Sequence, residues 1–374
     1  MTDKHLHIVT HDVPWPADFG GVIDLFYKLK ALHGLGVNIH LHCFTKGRLP
    51  QDELNKYCSS VTYYRRKNNV DRFSLRIPFI VNSRTSTELI NNLQKDNHPV
   101  LLEGIHCTYH LMKGDLDKRK VVVRLHNTEF EYYKQLANHE KSILKKIYYW
   151  YESRLLKKYE KNIANKAIFL AVSKQDVELY QTVLSAKNIY HLPVFLPYTL
   201  ATGKEGMGCF CLYHGNLAIN ENEEAAIWLL QNVFNNISIP FVIAGKDPSK
   251  RLQHLAHRYQ HTCLVINPSE TEMQDLVAKA HIHVLPSLNN TGIKLKLLNA
   301  LFNGRHCLVN KAAVNGSGLE KYCHITEDAA AFQKKIEELY LQPLPEQEIE
   351  QRQGLLQTTY NNEANARQLM TFLW

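Results

Sequence analysis

The sequence predicts an α/β protein of two Rossmann-like domains, each a doubly wound parallel sheet, facing one another across a cleft. Three observations carry this. Short apolar runs of strand length alternate with segments of helical period, and tight hairpin signals are few. The alternation is interrupted once and then begins again near Cys209. The chain of 374 residues exceeds one ordinary core and suits two domains of roughly 150 to 200 residues.

Taken in order, His5 to Thr10 reads as a buried parallel strand, and Pro14 to Gly21 carries loop punctuation. Val22, Leu25, Phe26, Leu29 and Leu32 recur at helical spacing, Gly34-Leu35-Gly36 stops that helix, and Val37 to Phe44 is the second strand. Further strands are expected at 61–64, 99–103, 120–124, 167–172 and 189–192. Val194 to Met207, which contains Pro, Gly and Lys and has no clear period, reads as the linker. Five more strands follow at 209–214, 240–244, 262–266, 281–285 and 306–309. The expected domains are residues 1–195 and 196–351. A terminal amphipathic helix over about 352–374 is expected to bury its apolar face, against the first domain if it returns there.

Composition narrows the class. With 45% hydrophobic and 21% charged residues the chain is that of a folded protein, and no low-complexity tract or repeat is visible. Its longest apolar runs fall short of the roughly 18 to 20 residues that span a bilayer, so a cytoplasmic protein is expected. Eight scattered cysteines, none in a Cys-x-x-Cys pair, read as reduced core residues. A formal charge of +8 points to anionic partners such as nucleotide diphosphates or an acidic membrane surface. Nucleic acid is set aside because no recognition fold accompanies the charge.

In open parallel sheets ligands collect beyond the carboxyl ends of the strands. The places to inspect are therefore Gly20-Gly21, His106, His126, Gly215-Asn216, Gly245-Lys246 and the segment Asn290 to Gly304. Gly20 and Gly21 precede a helix, where backbone N–H groups meet an anion or a sugar hydroxyl without Cβ obstruction, or simply make a tight turn. In the last segment Thr291-Gly292 leads into a periodic run, 294–302, whose first turn is expected to hold both Lys294 and Lys296. A helix N-terminus favours acids over bases, so two lysines there ask for an anion, and a diphosphate supplies one. The plainer reading leaves both lysines in water, on different helix faces.

With these residues in view, the chain resembles a retaining glycosyltransferase of the GT-B fold, similar to family 4. The resemblance spans Gly20-Gly21, Ala171 to Asp176, His214-Gly215-Asn216-Leu217 and Asn290 to Gly304. Relatives carry Gly-Thr/Ser-Gly-Ile-Arg/Lys-Leu-Lys-x-Leu-Glu-Ala-x-x-x-Gly there, and this chain reproduces Thr291-Gly292-Ile293-Lys294-Leu295-Lys296, Ala300 and Gly304. Where relatives carry a Glu-x7-Glu pair it has Thr291 and Asn299. The resemblance implies an N-terminal acceptor domain and a C-terminal donor domain. The enzyme it implies moves a hexosyl-type sugar from a nucleotide-diphosphate donor to a glycan or lipid-linked acceptor in surface polysaccharide synthesis. It implies no cofactor, and without an Asp-x-Asp motif no metal.

The residues carried over are Lys296 first, Lys294 second and Lys246 third for the leaving diphosphate, with His106 at the donor sugar. Gly20, Gly21, Gly215, Asn216, Thr291, Gly292, Ile293 and Asn299 join the donor site. His126, Asn127 and Glu129 belong to the acceptor side or the cleft edge. Two rival readings are a non-catalytic partner that kept the fold after losing the acidic pair, and a nucleotide-sugar epimerase of the same fold. The basic and aromatic run Lys145 to Tyr159 also has two readings. One is a helix packing its aromatics on the sheet, and the other a peripheral contact with acidic headgroups at the inner membrane face.

Overall fold

The computed structural model describes residues 3–18, 20–67 and 74–374, so Phe19 of the first glycine loop lies outside the described residues. The chain divides into two compact units, 1–197 with 360–374, and 198–359. The first unit holds β1 (Lys4–Thr10), α1 (Gly20–Gly34), β2 (Val37–Thr45), β3 (Ser60–Arg65), α2 (Phe79–Asn82), α3 (Thr87–Leu93), β4 (Val100–Glu103), α4 (Tyr109–Lys113) and β5 (Val121–Leu125). It continues through α5 (Glu129–His139), α6 (Ile143–Ile163), β6 (Ile168–Ala171), α7 (Lys174–Leu184) and β7 (Ile189–His191). The second unit holds β8 (Cys211–Asn216), α8 (Asn220–Trp228), β9 (Phe241–Lys246), α9 (Lys250–Ala256), β10 (Thr262–Ile266), α10 (Glu270–Lys279), β11 (Ile282–Val284) and α11 (Leu295–Asn303). After them come β12 (His306–Val309), α12 (Lys311–Val314), β13 (His324–Ile325), α13 (Ala329–Tyr340) and α14 (Glu346–Thr358), and α15 (Asn362–Leu373) closes the chain in the first unit.

Both sheets are parallel throughout. The first has order β3-β2-β1-β4-β5-β6-β7 and the second β10-β9-β8-β11-β12-β13. Such sheets need cover on both faces, and alternate residues of one strand supply it. Leu6 and Ile8 of β1 join Leu41, Leu101 and Val122 in a cluster closed by Ala366, Leu369 and Leu373 of α15. Val9 joins the opposite cluster with Phe44, Leu102, Val123 and Phe169. Strand order reverses between β1 and β4 and between β8 and β11, and ligands of doubly wound sheets bind at such points.

Several expectations change in detail. The single terminal helix over 352–374 is two helices, because the chain breaks at Tyr360 and the Asn361 side chain caps α15 by accepting from Ala364 N. The first of the two stays in the second unit, where buried Arg352 donates to the carbonyls of Leu301, Gly304 and Arg305. The linker is shorter than 194–207, since Val194, Phe195 and Leu196 are buried in the first unit. Strand β13 was not expected, being only two residues long. Five cysteines are buried, but Cys209 and Cys263 are exposed.

The first sheet also carries a histidine ladder away from its carboxyl edge. His5 Nδ1 lies 3.0 Å from His40 Nε2, His7 Nδ1 lies 2.9 Å from His42 Nε2, and His42 Nδ1 meets Tyr64 Oη at 2.9 Å. Burial pushes His42 down to about 3, with His7 and His40 adding repulsion. Asp96 partly offsets the same burial at His7. A folded-state value below the unfolded one means that stability is full above about pH 6.5 and declines as pH falls toward 3. Urea titrations should show unfolding free energy falling below pH 6.5 by about 1.4 kcal/mol per pH unit for each such imidazole, and His42→Gln should flatten that slope. A parent protein equally stable at pH 7 and pH 5 refutes this.

Candidate functional site

In the second unit β8 ends at Gly215 and Asn216, in register with Gly245 and Lys246 of β9. A Cβ on Gly245 would fall 1.9 Å from the Gly215 carbonyl oxygen, so glycine is what lets these strand ends approach so closely. The Asn216 carbonyl accepts from Asn222 Nδ2 at 3.0 Å, and Asn222 Oδ1 accepts from Lys296 Nζ at 3.0 Å. Lys296 Nζ also reaches Tyr213 Oη at 3.2 Å and lies 4.7 Å from the centre of that ring. These partners are neutral, and among the described residues Lys296 makes no salt bridge. Burial lowers its pKa to about 8, and Lys294 pushes the same way against the attraction of Glu221. His214, buried beside it, is driven down to about 3 by burial and by the Lys296 charge.

The loop before α11 is held by its own polar groups. Ser287 Oγ reaches the Asn289 carbonyl at 2.8 Å and Glu221 Oε1 at 3.2 Å. Asn310 takes the Ser287 N–H and returns a bond to the Ser287 carbonyl. Buried Thr291 donates both its N–H and its hydroxyl to Asn289 Oδ1, at 2.7 and 2.9 Å. Gly292 follows with φ at 64°, the left-handed region that favours glycine. Lys294 is not in the first helical turn, as the spacing suggested, but is the N-cap, and its ammonium donates to the Thr291 carbonyl at 2.7 Å. The helix starts without a side-chain cap and without an acid in its first turn. The positive helix end and two lysines therefore share one place, where a diphosphate would meet them.

Asn299 lies one turn further along α11, and its Oδ1 accepts from Asn303 Nδ2 at 2.8 Å. Ile293 is half-buried in the loop. Lys246 is exposed at the end of β9, and its carbonyl accepts from Ala218 N. Tyr213, Asn222 and Glu221, which surround Lys296, escaped the sequence reading. Glu221 and Asn222 stand in an ordinary polar helix start, and only the fold turns them inward.

In the first unit α1 starts at exposed Gly20 and half-buried Gly21. Two turns on, Lys28 Nζ donates to Asp24 at 3.0 Å and to Glu103 at 2.7 Å, while Arg124 donates to Asp24 at 3.2 Å and to the Pro193 carbonyl at 2.9 Å. Burial alone would raise both carboxyls, but Arg124 and Lys28 hold Asp24 low, and Lys28 with His126 holds Glu103 low. His126 Nε2 lies 3.0 Å from Glu103 Oε2. Ligand atoms of Asp24, Glu103 and His126 lie within 4.8 Å of one another. Lys28 and Arg124 already neutralise the two carboxylates, so an added cation would have to displace them.

His106, in a short helical turn after β4, packs its ring 5.2 Å from that of His11, and His11 lies 5.8 Å from His126. Burial pushes His11 and His106 well below the usual imidazole range. His11 thus joins the two predicted histidines, and its position one residue past β1 was the available signal. Glu129, buried at the start of α5, is raised to about 8 by burial and by Asp176, against Arg84 and a bond to Asn127. The predicted residues fall into three places, Gly20 and Gly21 at the start of α1, a second set after β4 and β5, and a third around β8, β9 and α11.

The family model "Glycosyl transferases group 1" matches residues 209–342. Among curated proteins, an "Uncharacterized 44.6 kDa protein in cps region" of Klebsiella pneumoniae is 30% identical over 357 residues, covering 88% of this chain and 89% of that protein. Among solved structures, a sucrose-phosphate synthase from Thermosynechococcus elongatus aligns with a TM-score of 0.72 at 15% identity, over 98% of both chains. Another, described as "Trehalose-6-phosphate from E. coli bound with UDP-2-fluoro glucose", aligns at 0.65 and 9% identity over 99% of both. These likenesses show the fold class to be GT-B, with two Rossmann-like domains.

The contact at Gly245 is testable by itself. Gly245→Ala should destabilise the protein by roughly 1–3 kcal/mol in urea unfolding, the usual cost of overpacking, while Gly354→Ala, with open space around it, should not. Equal stability of the two variants would contradict the close approach of β8 and β9.

Proposed function

The chain belongs to the group 1 glycosyl transferases, and on that premise we propose that it moves a sugar from a nucleotide-diphosphate donor to a glycan or lipid-linked acceptor with retention of configuration. The observation that carries the donor side is Lys296, a half-buried ammonium held by neutral groups beside the uncapped start of α11. As the glycosidic bond breaks, negative charge grows on the departing diphosphate. A preorganised cation and a helix N-terminus lower the barrier by meeting that charge. Lys294, tied to the Thr291 carbonyl, orders the loop and adds its field. Gly215 and Gly245 let the ends of β8 and β9 pack closely beside Asn222, which holds Lys296 in place. Asn299 stands where relatives place a ribose-binding acid and offers an amide to the same hydroxyl.

The first unit would supply the acceptor side, with His106 reaching toward the donor sugar. Its His11 and His106, held neutral by burial, pack near His126, and Glu129 at the start of α5 adds a carboxyl of raised pKa. The cps region that houses the Klebsiella pneumoniae relative supports a place in polysaccharide synthesis. The bound UDP-2-fluoro glucose of the E. coli structure supports a nucleotide-sugar donor. Retention rests on the likeness of Thr291 to Lys296 to the retaining relatives.

Incubation with a panel of nucleotide sugars and glycan acceptors should release free nucleotide with the sugar transferred, and Lys296→Ala should lower kcat by roughly 10²–10³. Isomerised sugar without transfer would make the protein an epimerase, and nucleotide binding without turnover on any acceptor would make it a non-catalytic partner. Lys296 loses its charge as pH rises through about 8. Nucleotide-diphosphate affinity, read by calorimetry from pH 6.5 to 9.5, should therefore weaken roughly tenfold or more, and Lys296→Gln should remove this pH dependence. An unchanged Kd across that range in the parent removes Lys296 from the site.

A further inference from the structure

The long helix α6 is sorted by charge in a way that its own packing does not require. Glu152 and Glu160, its two acids, are both buried and engaged: Glu152 accepts from Phe79 N at 3.0 Å, and Glu160 from Phe130 N and Tyr180 Oη at 2.8 and 2.5 Å. The inward face also holds Leu156, Tyr159 and Ile163. Every exposed charge on the helix is basic, namely Lys145, Lys146, Arg154, Lys157, Lys158 and Lys161. Glu140, the acid just before it, accepts from Ser142 N.

The same outward face begins with large apolar side chains. Ile143, Leu144, Ile147 and Trp150 are 75, 81, 58 and 50% exposed. At 100° per residue Ile143, Ile147, Trp150 and Arg154 form one stripe, and Lys157 and Lys161 continue it. Leu75, 71% exposed, flanks the stripe, since the Tyr151 hydroxyl of α6 donates to its carbonyl at 3.3 Å. The Arg154 guanidinium stacks 3.9 Å over the Trp150 ring. Exposed apolar residues scattered singly need no explanation, but a contiguous row of them does.

We propose that this face of α6, with Leu75 beside it, docks the protein on an anionic lipid surface. Charge complementarity selects that occupant. A row of isoleucines with a tryptophan inserts into the headgroup and acyl boundary, and lysines without intervening acids lie over lipid phosphates. A protein partner or a second copy of this chain would bring charges of its own, and a second copy would set Arg154, Lys157 and Lys161 against themselves. No described helix is long and apolar enough to cross a membrane, so the contact lies on the surface. The inference is independent of the donor-site reading, because vesicle binding involves no nucleotide.

Flotation of the full chain with vesicles separates the outcomes. The protein should float with vesicles of phosphatidylcholine containing 30% phosphatidylglycerol and stay behind with pure phosphatidylcholine, at about 0.1 M salt. The triple variant Ile143→Ser, Ile147→Ser, Trp150→Ser should abolish flotation with melting unchanged, because these side chains are exposed. Lys157→Ala with Lys161→Ala should weaken it roughly fivefold per residue. Flotation of the triple variant equal to the parent, or no binding by the parent to either vesicle, overturns the proposal. So does a parent dimer in analytical ultracentrifugation that the triple variant dissociates, which would make the face an interface between copies.

Discussion

Taking a charge out of water costs several kcal/mol unless a partner is supplied, and this constraint organises both units of the chain. In the first unit the charges balance. Lys28 and Arg124 face Asp24 and Glu103, and these four groups with His126 tie α1 to the ends of β4 and β5. Asp24 also takes the Phe195 N–H, and Arg124 the Pro193 carbonyl, so the last segment of the unit is held by the same network. In the second unit the balance is left open. Lys296 has amide, phenol and aromatic ring as its direct partners, and burial lowers its pKa in spite of the attraction of Glu221.

That contrast separates scaffold from site. A network of matched charges positions backbone and leaves little electrostatic demand for a ligand. An under-compensated ammonium beside a positive helix end carries such a demand, and a diphosphate is the anion proposed for it. The loop from Ser287 to Lys294 holds the arrangement with short polar bonds among its own residues and with Asn310, so the lysines are placed before any ligand arrives. Preorganisation of this kind is what makes a charged group effective in group transfer.

The outward face of α6 follows the same logic. Its acids are turned inward, where backbone N–H groups and a tyrosine hydroxyl donate to them, and its bases are left to solvent beside bare apolar side chains. One helix thus serves packing on one side and presents an unbalanced surface on the other. The aromatic and basic run had two readings in the sequence; the packing one holds for part of it, and the membrane one is the proposal made above. Tyr159 packs in the core while Trp150 stays exposed.

Strand periodicity was legible because parallel strands buried on both faces read as short apolar runs, and twelve of the thirteen strands fall where those runs lie. The thirteenth, His324–Ile325, is too short to leave a period. The glycines at strand ends and the lysines at the start of α11 were visible for a similar local reason, since each departs from what its neighbours require. Side-chain partnership was not legible. Asp24 pairs with a residue one hundred positions away, and Lys296 reaches back seventy-four positions to Asn222. Lys294 became a cap rather than a helix residue because it bonds the Thr291 carbonyl. The sequence by itself determined the order of strands and helices, since hydrophobic period is a local property of the chain. Only the tertiary structure decided which charges meet, because sheet order brings together groups that no spacing along the chain connects.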